Sequence, residues 1–167
     1  MLNKKSQGAS EVFKYLIIAV ISVVILAGGY KAINLINSRS CQADLASFEM
    51  DLKGMGKNLR YGEKELKTFS VPCNVEKVYL LDLKKGVDPG AFDNIAIIRD
   101  SLQSRTGKNI FLAAGNNVKH SFSAGPLEIE SPGYLCLKPH SGQLSFFIES
   151  VGGAARITLP PEQLQCS

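Results

Sequence analysis

The chain has 167 residues, 45% of them hydrophobic and 20% charged, which leaves room for one membrane segment and one domain of about 120 residues and excludes a disordered chain. Its formal net charge of +4 is spread along the sequence instead of gathered in a basic tract, so no nucleic-acid partner is expected. Four cysteines, Cys41, Cys73, Cys136 and Cys166, are widely spaced and form no C-x-x-C pair, a pattern that in an exported domain predicts disulfides and not a zinc site, four buried thiols being the alternative.

From Tyr15 to Tyr30, sixteen residues pass without a charge, bracketed by Lys14 and Lys31. A transmembrane helix needs about 20 mostly apolar residues. Val12, Phe13, Ala32, Ile33, Leu35 and Ile36 extend the apolar character on both sides, and the flanking lysines can snorkel, so a single span within residues 7–36 is predicted. Lys4 and Lys5 ahead of it favour a cytoplasmic N-terminus with the C-terminal part outside the cell, against a weaker pull from Lys31 and Arg39. A cleavable secretory signal ending at Ala27-Gly28-Gly29 is the alternative. It leaves Glu11 unexplained, an acid standing just before the apolar run, where signal sequences carry positive charge.

Residues 4–11 read Lys-Lys-Ser-Gln-Gly-Ala-Ser-Glu, and together with the apolar helix behind them they resemble an archaeal class III signal peptide, the N-terminus of the archaeal type IV pilins. The resemblance covers residues 4–36, about a fifth of the chain. It implies a leader over residues 1–6, cut by a prepilin-type peptidase between Ser6 and Gln7. It also implies that Gln7 becomes the new N-terminus and that Glu11, four residues later, takes part with it in assembly. Ser6 departs from the pattern, which more usually has Gly or Ala before the cut. Cleavage after Gly8 is the alternative, and it leaves Glu11 only two residues beyond the new terminus Ala9. The plainer reading of Glu11 is a headgroup-level acid paired with Lys14 at helical spacing.

Beyond the span, Leu45, Phe48, Leu52, Met55 and Leu59 recur at spacings of three and four, while Asp44, Glu49, Asp51, Lys53, Lys57 and Arg60 fill the rest of the wheel. That predicts an amphipathic continuation of the helix over residues 37–62, with a kink at Gly28-Gly29 inside the span, turns weakened by Gly54 and Gly56, and a stop at Gly62. Residues 63–167 read as a mainly β head. Short strand-like runs occupy Val75 to Leu83, Ile110 to Ala113, Leu127 to Glu130, Tyr134 to Lys138, Leu144 to Ile148 and Ala155 to Leu159, and one helical island spans Asn94 to Ser104. A β-hairpin is predicted from Tyr134 to Ile148 across Pro139-His140-Ser141-Gly142, and a second tight turn at Gly152-Gly153. The fold class expected is α+β, a long N-terminal helix whose outer half packs against a small antiparallel sheet. Four cysteines allow three pairings. Cys73, just before one strand run, and Cys136, within another, suggest a cross-sheet bridge, which leaves Cys41 to hold Cys166.

No arrangement of residues carries catalysis. His120 and His140, the two histidines, have no cysteine, acid or second histidine at ligand spacing and read as turn or surface residues. There is no G-x-S-x-G elbow, P-loop or Asn-x-Ser/Thr sequon, so neither an enzyme nor a bound cofactor or metal is expected. Three functions remain. The first, which the resemblance implies, is a type IV pilin-like structural subunit that waits in the membrane and then packs through its apolar helix with copies of itself or other pilin subunits in a surface filament. The second is a permanently membrane-anchored binding domain on the cell surface. The third is a minor pilin or pseudopilin of a secretion or adhesion machine.

Overall fold

The computed structural model describes residues 5–55, 60–72 and 74–166, with the side chains of residues 5–12, 34 and 37–39 outside the description. Helix α1 runs Lys5–Gly54, and eight strands follow: β1 Lys64–Ser70, β2 Lys77–Leu81, β3 Ile110–Ala114, β4 Asn117–Phe122, β5 Leu127–Ile129, β6 Tyr134–Leu137, β7 Gln143–Val151 and β8 Ala154–Thr158. A 3-10 turn at Pro89–Phe92 and a short helix α2 at Ala96–Gln103 lie between β2 and β3. The fold is α+β, as the hydrophobic periods predict. Two compact units divide the chain, Met1–Cys41 and Gln42–Ser167, so the outer turns of α1 belong to the head.

Within the head the strands form two four-stranded sheets, β1-β7-β8-β5 and β4-β3-β2-β6. All neighbouring pairs are antiparallel except β5 and β8, which run parallel. Strand β7 alternates buried and half-exposed residues, Leu144, Phe146 and Ile148 pointing inward, as a strand with one solvated face must. Strands β2 and β3 are buried on both faces. Val78, Leu80, Ile110 and Leu112 pack towards the first sheet, and Tyr79, Leu81, Phe111 and Ala113 form a second cluster with Val87, Phe92, Ile95 and Ile98 from the 3-10 turn and α2. That double burial makes the run Val-Tyr-Leu-Leu continuous instead of alternating.

The outer end of α1 is part of the first core. Phe48, Leu52 and Met55 are all but inaccessible, and Leu45 packs beside them. Phe48 meets the Phe69 ring edge-on at 6.4 Å, and Phe69 stacks on Phe146 at 5.0 Å, so one aromatic chain links helix, edge strand β1 and central strand β7. On the other sheet, the Glu49 carboxylate lies 2.9 Å from His120 Nε2 on edge strand β4, and it also accepts a hydrogen bond from Lys53. Helix α1 therefore closes the sandwich on the side where the two edge strands β1 and β4 lie. The predicted continuation to Gly62 stops short: the assigned helix ends at Gly54, with Lys53 in its last turn, and residues 56–59, Leu59 included, lie outside the description.

Two buried polar residues hold the sheets in register. Asp82 accepts hydrogen bonds from the backbone N–H groups of Lys84 and Ile129, the second of which belongs to β5 in the opposite sheet. Asn109 donates from Nδ2 to the Gly125 carbonyl at 2.6 Å and accepts from the Ala124 N–H at 2.9 Å, fixing the crossover from β4 to β5. Both are nearly inaccessible, and each is satisfied.

The structure corrects the predicted hairpin and adds two strands that the hydrophobic pattern does not mark. Tyr134 to Ile148 is not a hairpin, because β6 pairs with β2 and β7 with β1 and β8 in the other sheet. The local turn is present: His140 and Gln143 exchange backbone hydrogen bonds across Ser141 and Gly142, both at positive φ, but the strands beyond it diverge. Strand β1 escapes the sequence reading because its only buried residue is Phe69 and its charges, Lys64, Glu65 and Lys67, are those of an edge strand. Strand β4 is joined to β3 by Gly115-Asn116, with Gly115 at φ 60, a two-residue turn between the paired residues Ala114 and Asn117. Gly152-Gly153 does form the predicted tight turn, between the paired residues Val151 and Ala154.

Two outcomes test this packing. Phe48→Ala should destabilise the head by about 3 to 5 kcal/mol, whereas Ile97→Ala, on the exposed side of α2, should cost less than about 0.5 kcal/mol; denaturant unfolding of the full chain in detergent measures both. The Lys53 hydrogen bond first, and the His120 one second, hold the Glu49 carboxyl below its ordinary 4.5. A lowered folded pKa adds stability that is complete above the unfolded value and is lost as pH falls through the folded one. The midpoint of thermal unfolding should therefore fall less on acidification from pH 5 in Glu49→Gln than in the unaltered protein.

Candidate functional site

The first unit of the chain, Met1–Cys41, holds the apolar part of α1. Phe13–Ile33 is a 21-residue helical stretch with a mean hydropathy of 2.3, and none of it is buried. At 1.5 Å per residue it measures about 31 Å, close to the roughly 30 Å of a bilayer's hydrocarbon core. It is therefore long and apolar enough to cross a membrane. Tyr15 and Tyr30 are exposed near its two ends beside Lys14 and Lys31, the arrangement that suits headgroup depth. Its one serine is self-satisfied, Ser22 Oγ donating to the Ile18 carbonyl one turn back at 2.8 Å. Helix α1 passes through Gly28-Gly29 without a break.

Ser6, Gln7 and Glu11 all fall on α1 upstream of this segment, and their side chains lie outside the description, as does Lys4.

The cysteines are rearranged relative to the sequence reading. Cys136 is bonded to Cys166, so neither the Cys73–Cys136 nor the Cys41–Cys166 bridge exists. Cys41 is disulfide-bonded, and Cys73 lies outside the description. The reason for the Cys136–Cys166 bond is a strand pairing that the sequence does not advertise. After β8 the chain passes through Leu159-Pro160-Pro161 and lays its last residues antiparallel on the outer edge of β6, with Leu137 facing Gln165. Lys138 N–H donates to the Leu164 carbonyl and Cys166 N–H to the Cys136 carbonyl, each at 3.0 Å. Cys136 and Cys166 thus stand directly opposite each other, with Cα atoms 5.4 Å apart, the separation of a hydrogen-bonded antiparallel pair. Gln163 fastens the same arm, donating from Nε2 to the Lys138 carbonyl and accepting the Ser145 N–H, each at 2.9 Å.

A cleft of about 500 Å³ lies under this arm, between β6 and the β5–β8 side of the other sheet, with Ile129, Leu135 and Ile157 in its lining and Gln165 and Cys166 beside them. On the outer face of the β1–β7–β8–β5 sheet, Arg156 binds Glu128 and Glu149, and the Glu128 hydrogen bond chiefly raises its pKa. Lys64 stands 4.7 Å from the centre of the Phe147 ring on that face. His140 sits in the turn ahead of β7, and His120, read as a surface or turn residue, is the β4 partner of Glu49. Among the described residues, no three His, Cys, Asp or Glu side chains gather as metal ligands would.

No family model matches this chain, and no curated protein or solved structure is significantly similar to it.

Proposed function

We propose that the protein is a type IV pilin-like structural subunit, synthesised with a short basic leader and held in the membrane by α1 until it joins a surface filament. The observation that carries this reading is the position of Glu11, four residues after Gln7 and directly before an apolar helical stretch, Phe13–Ile33, none of which is buried. An ordinary anchor gains nothing from an acid there, since an acid costs about 2.5 to 3.5 kcal/mol at the helix centre on insertion scales and a smaller part of that near the interface. A subunit whose helix packs against neighbouring helices has a use for it. Cleavage before Gln7 creates an ammonium group one helical turn from Glu11, and the pairing of one copy's Glu11 with the next copy's terminus sets the axial register of packed helices.

In this reading Lys4 and Lys5 remain in the cytoplasm, the head is outside the cell, and Phe13–Ile33 exchanges lipid for the helices of other subunits during assembly. The partners are a prepilin-type peptidase and further copies of this chain or related subunits. Minor and pseudopilin subunits share the same processing and differ in abundance.

Processing is read by N-terminal sequencing of the protein from cells, which should begin Gln-Gly-Ala-Ser-Glu; a terminus near residue 30 would show an ordinary secretory signal and end the proposal. Assembly is read separately. Glu11→Ala should insert into the membrane, be cleaved and fold its head as the unaltered protein does, while the yield of sheared filaments drops. Equal filament yield, or no filament containing the protein, leaves a membrane-anchored binding domain as the function.

A further inference from the structure

The C-terminal arm is an added strand held almost entirely by groups that any copy of this chain possesses. Residues 159–166 all keep partial or full exposure, and Leu159, at the start of the arm, is the one among them that packs against the first core. Leu164, its largest apolar residue after the prolines, is half exposed. What secures it is the backbone pairing to β6, the Gln163 amide and the Cys136–Cys166 bond. Without the disulfide, a few hydrogen bonds at the surface would stand alone against the conformational entropy of ordering the arm. The covalent bond therefore decides which β6 edge the arm occupies. The hinge between β8 and the arm contains Pro160 and Pro161, whose fixed φ suits the turn that Gln163 N–H closes on the Pro160 carbonyl at 3.1 Å, and the chain there leaves β8 for the β6 edge.

We propose that the β6 edge is a strand-acceptor site for the arm of a second copy, and that neighbouring copies become covalently linked by exchanging arms, Cys166 of one bonding to Cys136 of the next. The acceptor needs no new complementarity, because an arm of identical sequence already fits it. A linked arm in the same chain enjoys an effective concentration of roughly millimolar, and copies crowded in a membrane or a filament approach that value. The exchange balances without any net oxidant. A small-thiol catalyst attacks Cys136 and releases the Cys166 thiolate of the first copy. That thiolate attacks Cys136 of the second copy, breaking its bond and freeing its Cys166, which in turn displaces the catalyst from the first copy's Cys136. One S–S bond forms for each that breaks.

The inference requires only that copies lie close together, which the filament reading provides and a crowded membrane also provides, so its failure is separable from that of the filament. The test mixes light and nitrogen-15-labelled full-length protein at high density in membranes with reduced glutathione as the catalyst, quenches with an alkylating reagent, and digests without reduction. The expected result is a linked Cys136–Cys166 peptide pair with one heavy and one light half, absent when glutathione is omitted. Two results would overturn the proposal. One is that only light–light and heavy–heavy pairs appear. The other is that mixed-isotope links to Cys41 appear as readily, which would mark random scrambling instead of arm exchange.

Discussion

The contact on which the rest of the head depends is the insertion of Phe48 between the two sheets. A small sandwich has two open sides, and apolar residues beneath an open side would face water. Here Phe48, Leu52 and Met55 fill the side flanked by β1 and β4, and the aromatic series Phe48, Phe69 and Phe146 carries that contact to the middle of the first sheet. Burying each such side chain is worth roughly 1.5 to 3 kcal/mol, a large share of the 5 to 15 kcal/mol that separates folded from unfolded domains. The helix is thus a structural part of the head as well as the continuation of the apolar segment. The compact unit begins at Gln42 for this reason, although the sequence suggests a head that starts beyond the helix.

The second constraint is the double burial of β2 and β3. A sheet covered on one face needs only a core, but these two strands are covered on both, by the opposite sheet and by the segment that folds into the 3-10 turn and α2. The head has three layers as a result. Chain crossings between layers are expensive unless the backbone groups at the corners are satisfied, and Asp82 and Asn109 meet that need by accepting or donating to the backbone at the crossovers. Their side chains are inside because the corners are inside.

The side of the sandwich opposite α1 is closed differently. There the arm lies along β6 above a cleft, held beyond Leu159 by an amide, two backbone bonds and a disulfide. One side of the head is sealed by the hydrophobic effect, which is non-directional and hard to reverse locally. The other is sealed by directional bonds that a thiol can open. The two closures give the head a fixed end and an exchangeable one.

Local chemistry was legible in the sequence wherever one residue's neighbours along the chain set the outcome. The apolar run, the amphipathic stripe of Phe48, Leu52 and Met55, six of the eight strands, α2 and the Gly152-Gly153 turn all follow from periods and turn residues within short windows. The order Lys4, Lys5, Gln7, Glu11 and then an apolar helix likewise belongs to the sequence alone, and it is the whole ground for proposing Gln7 and Glu11 as assembly residues. The tertiary structure decided what the chain does at a distance. It set which sheet a strand joins, so that a correct turn at Ser141-Gly142 did not make a hairpin. It recruited β1 and β4, whose exposed, polar edges resemble loops until a neighbouring strand gives their backbone partners. It also fixed the disulfide, since Cys136 meets Cys166 through a backbone pairing of the arm with β6, and backbone pairing leaves no mark in side-chain pattern.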